Sequence, residues 1–389
     1  MDEARELRSQ GRLIPVTLPG DVPSWAATDL AVAHEVLTHP RLTKDPAYWT
    51  GLQDGSVPDN WELIALVRGA SMLHAGGDDH RRLRRLAGGA FTRAPIDSLR
   101  GRITEITDEL LDGLEAAARD GEPVDLRELF AFPLPVRVIC EVLGAPGSVI
   151  AGLRTQFNRM TIPQDSADPE ADIRHAVADV YRTLGKLVED KRRAPGDDLT
   201  TALVEAHDDG DRLSEQELVE TLFLIMISGH ETTINAITNT SYALLTHPDA
   251  LAGEALDDDA TWVRVVEEGL RFTSPIRHIV LRYATDDITV AGTEIRKGEA
   301  VLASTVAANR DPSHHERPDD FDIHRPTNRD HIAFGYGAHY CLGSRLAKLE
   351  TEVALRRLFT RFPDIRLASE PAQLDSVSLQ GYGELLVHL

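Results

Sequence analysis

The chain of 389 residues has only two cysteines, Cys140 and Cys341, far apart in the sequence. That scarcity argues against a disulfide framework and against a four-cysteine zinc site. Aromatic residues make up 5 %. Basic residues are also in deficit, with 41 Lys plus Arg against 63 Asp plus Glu and a net charge of −22. Such a charge repels nucleic acid and anionic lipid, so neither is expected as a partner. No run of about 18 apolar residues occurs, which predicts no membrane span or anchor. The first six residues alternate in charge and lead into nothing apolar, which predicts no secretory leader and a cytoplasmic protein.

What is present is enough apolar sequence, 42 %, to bury a sizeable core. From Thr28 to about Asn158 the pattern is largely helical, with a clear face at Leu99, Ile103, Ile106, Leu110, Leu111 and Leu114. A Pro- and Asp-rich gap, Ile162 to Pro169, precedes a helix over about 171–193. Ser214 with Glu217 predicts a capped helix start, and the pattern then runs to His247-Pro248. An element that long should cross the whole molecule. Short β-branched runs between Ile279 and Ser304 predict hairpins of a small sheet. A stretch without periodicity follows from Arg310 to Gly337, then a helix from Leu342 to Phe362. Without a repeat, a linker or a sharp change in composition, residues 1–389 read as one mainly α domain with a small β-sheet component.

Two places conflict with plain packing. In the long helix, Ser228-Gly229-His230-Glu231-Thr232-Thr233 puts polar groups mid-element. Ahead of the last long helix, Phe334-Gly335-Tyr336-Gly337-Ala338-His339-Tyr340-Cys341-Leu342-Gly343 sets a lone cysteine at a helix N-terminus. The dipole and free N–H groups there favour a thiolate, and three glycines let backbone approach something large and flat. A thiolate in that setting suits haem iron. The bland alternative is a buried, inert cysteine beside a glycine-rich turn.

The decapeptide resembles the haem-binding loop of the cytochrome P450 superfamily at every fixed position. The resemblance implies the P450 fold, with a long central helix over a buried b-type haem (heme b). Cys341 would be the axial thiolate ligand, Phe334, Gly343 and His339 would belong to the cofactor loop, and His339 would meet a haem propionate. Three further motifs fall in the family's order. Glu268 and Arg271 look like its Glu-x-x-Arg pair, with Arg325 as third member of the network. His80 and Arg84 match its His-x-x-x-Arg, and Arg282 its remaining propionate position. Gly229, Glu231 and Thr232 resemble the oxygen-binding groove, where the glycine would loosen the helix and the acid–alcohol pair would relay protons from solvent. Ser228 departs from the usual Ala or Gly.

The activity implied is a monooxygenase inserting one atom of O2 into a lipophilic small molecule, as in macrolide, polyketide or steroid tailoring. Electrons would come from a ferredoxin and an NAD(P)H-dependent ferredoxin reductase, and the protein would be a monomer. A peroxide-driven peroxygenase and a non-catalytic haem-thiolate sensor are the rival readings. The expected pocket walls are Trp61 to Leu73, Phe157 to Pro163, Ile225 to Ser228, Pro275 to Val280 and Ser378 to Tyr382. Five arginines against two aspartates between Asp78 and Arg93, with Arg345 and Lys348, predict a basic face for the ferredoxin. There Arg81, Arg82 and Arg85 could not all turn inward, so some of them would face solvent.

Overall fold

The computed structural model describes residues 2–58, 60–69, 71–93, 96–118, 121–146, 156, 169–208 and 211–389. About half of the chain is helical, with small sheets, as the sequence predicts. The main helices are α1 (Asp2–Gln10), α2 (Leu30–Thr38), α3 (Gly77–Arg93), α4 (Arg100–Ala117), α5 (Pro133–Val142), α6 (Pro169–Arg193), α7 (Glu215–Thr246), α8 (Asp259–Phe272) and α9 (Ser344–Arg361). No helix among the described residues is long and apolar enough to cross a membrane.

Helix α7 spans 32 residues, roughly 48 Å at 1.5 Å per residue. Its start is a reciprocal capping box: Glu217 N–H donates to Ser214 Oγ, and Ser214 N–H donates to Glu217 Oε2 at 2.8 Å. Leu222, Met226, Ile234 and Ile237 bury one face of it in the largest core cluster, which also takes Leu111 and Leu114 of α4 and Leu355 and Leu358 of α9. Gly269 lets α8 lie close against α7, because a Cβ there would collide with Thr240. That contact leaves Glu268 and Arg271 to face the chain beyond residue 308.

The sheet is larger than the sequence suggests. Strands β1 (Leu13–Leu18), β2 (Val22–Ala27), β3 (Leu42–Thr43), β4 (His278–Ala284) and β5 (Ala300–Ser304) form one sheet in the order β1-β2-β5-β4-β3. Only the β2–β5 pair is parallel. The pattern before Ile279 hides three of these strands: β1 and β2 carry Pro15 and Pro23, and β3 is two residues long. The expected hairpin character beyond Ile279 is met by β4 with β5 and by a small separate hairpin, Ile288–Val290 with Thr293–Ile295. Within the expected helical span, the described residues of 39–76 hold β3, one short α-helix (Thr50–Gln53) and 3-10 turns at Pro46–Tyr48 and Ile64–Leu66.

The long irregular stretch before the cysteine is pinned rather than loose. Arg271 forks onto Glu268, with Nη2 2.7 Å from Oε1 and Nε 2.8 Å from Oε2, and neither side chain is exposed. Its remaining N–H groups donate to the carbonyls of Asn309, Pro318 and Asp320. Arg325 joins Glu268 Oε1 at 3.3 Å and donates to the carbonyls of Glu316, Arg317 and Asp320. Asp322 N–H closes the network on the same Oε1 at 2.9 Å. One buried carboxylate and two guanidiniums thus fold 309–325 into a fixed shape, which delivers the cysteine loop to the core.

Candidate functional site

The cysteine loop is built on two left-handed glycines, Gly335 at φ +74° and Gly337 at φ +73°. A Cβ on Gly337 would press on Thr38 of α2, so close packing as well as φ requires glycine there. Cys341 N–H donates to Phe334 O at 2.8 Å, closing the loop. The sulfur accepts from the backbone N–H groups of Gly343 and Ser344 at the start of α9. Cys341 is open on one side and packed on the others: it is accessible, yet burial pushes its thiol up more than those N–H groups pull it down. The N–H groups favour the thiolate, as the sequence predicts, and a bound cation would add to them against the cost of burial. No protein atom lies within 4 Å of where a Cβ on Gly343 would sit, so protein packing does not account for that glycine.

Beside the loop lies a cluster of groups that can all carry positive charge. The rings of His80 (α3) and His339 lie 3.8 Å apart. Arg84, one turn along from His80, donates to Tyr340 O at 2.6 Å. Arg282 on β4 is buried, and neither its Nε nor His80 Nε2 has a hydrogen-bond partner. Burial first, and neighbouring cations second, push His80 down to about 4 and His339 to about 2. Burial alone pushes Arg282 to about 10. Among the described residues no ion pair ties these groups to a carboxylate. With His80 and Arg282 buried and Arg84 and His339 half-buried, a set of donors without an acid is unfavourable until an anion enters. A flat cofactor with two carboxylates, its metal facing the sulfur, fits this arrangement.

On α7 the polar cluster is more tightly held than its sequence implies. Thr232 Oγ1 donates to Ser228 O at 2.7 Å, Ser228 Oγ to Leu224 O at 2.6 Å, and Thr233 Oγ1 to Gly229 O at 3.0 Å. The helix runs unbroken from Glu215 to Thr246. Gly229 gives room to Ile139 of α5, whose Cδ1 would lie 3.3 Å from a Cβ. Nor is Glu231 free to face solvent. Arg127, in a π-helical stretch at Arg127–Ala131, donates from Nη2 to Glu231 Oε1 at 2.8 Å and from Nη1 to Asn235 Oδ1 at 3.1 Å. Sequence reasoning missed Arg127. The one available signal was that Glu231 and Asn235, four apart, share a helix face that one guanidinium could fork onto.

The expected basic docking face is met in part: Arg81, Arg85 and Arg345 are exposed, whereas Arg82 and Lys348 are held by acids. Arg82 is bound to Glu217 and Asp211, so it ties α3 to the start of α7. Arg81 pairs with Asp78. Lys348 donates to Glu267 at 2.8 Å and lies 5.3 Å from the centre of the Phe334 ring, linking α8, α9 and the cysteine loop. The side chain of Arg93 and the wall segment Phe157 to Pro163 lie outside the described residues. Trp61, another expected wall residue, is buried against Trp49 and donates to Pro19 O. It belongs to the core under the sheet. Pro275 and Ser378 to Gln380 do converge: Gln380 N–H donates to Pro275 O, and Arg277 N–H to Ser378 O.

Comparison with known proteins places this arrangement. A family model described as Cytochrome P450 matches residues 164–253 and 263–375. A 2-hydroxy-5-methyl-1-naphthoate 7-hydroxylase of Streptomyces carzinostaticus is 39 % identical, covering 100 % of this chain and 94 % of its own. A vitamin D(3) 25-hydroxylase of Pseudonocardia autotrophica is 40 % identical, with 93 % and 86 % covered. Among solved structures, testerone-bound CYP154C4 from Streptomyces sp. ATCC 11861 superposes with a TM-score of 0.91 at 40 % identity, covering 100 % of this chain and 95 % of its own.

Proposed function

The chain belongs to the cytochrome P450 family and is a monooxygenase, and from that premise we propose that it hydroxylates a neutral, lipophilic small molecule over a b-type haem held by Cys341. The observation that carries the cofactor assignment is the acid-free cluster of His80, Arg84, Arg282 and His339 beside the Cys341 sulfur. When bound, haem supplies oxygen activation and insertion of one oxygen atom into a substrate C–H bond.

The protein's part is position, charge and protons. Cys341 would hold the metal, with the N–H groups of Gly343 and Ser344 stabilising charge on its sulfur. His80, Arg84, Arg282 and His339 would receive the two carboxylates, and the open face at Gly343 leaves room for the ring. Glu231 and Thr232 would relay protons. For that, Thr232 Oγ1 turns from Ser228 O toward the cofactor, and Glu231 passes its proton on from a position set by Arg127 and Asn235. Ser228 stands one turn before Thr232 and is exposed, so its hydroxyl faces the same space.

The substrate class rests on two supports. Two of the relatives named above act on, or are bound to, the neutral lipophiles vitamin D(3) and testerone, while the third acts on a naphthoate, a fused-ring aromatic that carries a carboxylate. Of the proposed walls, Ile225 to Ser228 and Pro275 to Val280 offer mostly apolar side chains. Two cysteines cannot ligate an iron–sulfur cluster, so these residues would receive their electrons from outside the haem domain. A ferredoxin with its NAD(P)H-dependent reductase, in the cytoplasm, is the proposed source. Incubation with a surrogate ferredoxin pair, NADPH and a panel of steroids, macrolides and fused-ring aromatics tests the reading. We expect NADPH-dependent hydroxylated product from at least one of them. Product formed only with added peroxide would replace the reading with a peroxygenase, and haem without turnover on any route with a sensor.

A further inference from the structure

One buried cation has no role in the site as described. Lys44 directly follows β3, whose antiparallel pairing with β4 sets Leu42 opposite Ala284 and Thr43 opposite Tyr283. Continuing that register by one residue brings Lys44 level with Arg282. Directly opposed residues share a face, with Cβ atoms about 5 Å apart, and like charges there are destabilising. Both side chains are buried.

Lys44 Nζ donates to Val280 O at 2.8 Å, two residues before Arg282 on β4. Among the described residues that is its one hydrogen bond, and a neutral amine could donate it too. The adjacent acid does not serve it: Asp45 Oδ1 accepts from Ala47 N–H at 2.9 Å and caps the next turn. No ion pair joins Lys44 or Arg282 to a carboxylate among the described residues. Burial, followed by the charge of Arg282, pushes the ammonium down to about 7. In the sequence, Arg41-Leu42-Thr43-Lys44-Asp45-Pro46 falls within the span read as largely helical. Only the register reveals the lysine's place.

We propose that Lys44 is a positioning residue for the carboxylates of the cofactor, acting beside Arg282 as a further cation of the cluster. The proposal rests on the haem-thiolate reading above. A dianion turns the opposition of two buried cations into a charge-assisted contact. It would then slow cofactor loss, and its positive charge would favour the reduced iron.

The test compares holoenzyme of wild type, Lys44→Met and Lys44→Arg. Haem transfer to excess apomyoglobin and the reduction potential are both measured. We expect Lys44→Met to release haem about tenfold faster, as for loss of one charged hydrogen bond, with a lower potential. Lys44→Arg should stay within about threefold of wild type and keep the potential. A Lys44→Met chain with wild-type circular dichroism that takes up no haem is the same effect at its limit and supports the proposal. Release and potential unchanged in Lys44→Met would reduce Lys44 to a hook on Val280 O and overturn it. Equal acceleration in both variants at unchanged potential would show packing rather than charge, and overturn it too. If wild type itself binds no haem, the reading of the site fails first, a result separate from anything the Lys44 variants show.

Discussion

Arg127 stands 104 residues before Glu231 in the chain, yet its Nη2 lies 2.8 Å from Glu231 Oε1. Each side chain is 13 % exposed. The guanidinium crosses from the stretch ahead of α5 to the middle of α7 and fixes the acid that the family resemblance assigns to proton transfer. Removing one member of so enclosed a pair strands the other. Arg127→Leu is expected to cost about 3 kcal/mol of stability, and Arg127→Leu with Glu231→Leu distinctly less than the single change. Urea denaturation of Arg127→Leu, Glu231→Leu and the double variant checks this. A double variant as unstable as the sum of the single changes would mean that the pair does not couple.

Thr232→Ala separates chemistry from packing. Its hydroxyl back-bonds to Ser228 O, a contact that contributes little to a helix in which Ala is the better former. Melting temperature should therefore hold. Product per NADPH should fall roughly 10²-fold, the low end for a lost general acid because water can stand in, with peroxide released instead. Full coupling would move proton delivery to another hydroxyl, Ser228 first.

Arg82 has become a structural residue. Arg82→Glu would set a third carboxylate beside Glu217 and Asp211. Since Arg82 is 29 % exposed, solvent moderates the effect, and a loss of about 2 kcal/mol is expected in thermal unfolding. A stability equal to wild type would restore Arg82 as a free surface charge.

Acid sensitivity should trace in part to His315. It is fully buried, with Nδ1 2.8 Å from Thr327 Oγ1, and burial followed by the charge of Arg271 holds it down to about 3. Unfolded, it takes up a proton near 6.5. Between those values the unfolded chain binds the extra proton, so the histidine's contribution is present above about pH 6.5 and is lost as pH falls toward 3. His315→Gln should flatten the decline in stability between pH 6.5 and 4. An unchanged slope would assign the sensitivity elsewhere.

What the sequence made legible was local. The capping box at Ser214 and Glu217, the i, i+3 pair Glu268 and Arg271, and the glycines around Cys341 all carry their meaning within a few residues. The partners of these groups were hidden, because they arrive from distant chain. Arg325 was found through the family's motif order, whereas Arg127 and the ties of Arg82 to Glu217 and of Lys348 to Glu267 had no local signature. Lys44 was hidden for a different reason: its burial follows from a two-residue strand too short to show a period. Charge counting along one helix also overstated the basic face, since it cannot see which carboxylates fold back onto it.

The central claim is that Cys341 supplies the thiolate to the iron of a bound haem. The most direct measurement is the absorption spectrum of the reduced, carbon monoxide-bound protein, for wild type and Cys341→Ser side by side. Wild type should show the long-wavelength Soret band of thiolate-ligated haem, and Cys341→Ser should retain haem through the His80, Arg84, Arg282 and His339 cluster while losing that band. The same band in Cys341→Ser, or no haem spectrum in wild type, would contradict the account.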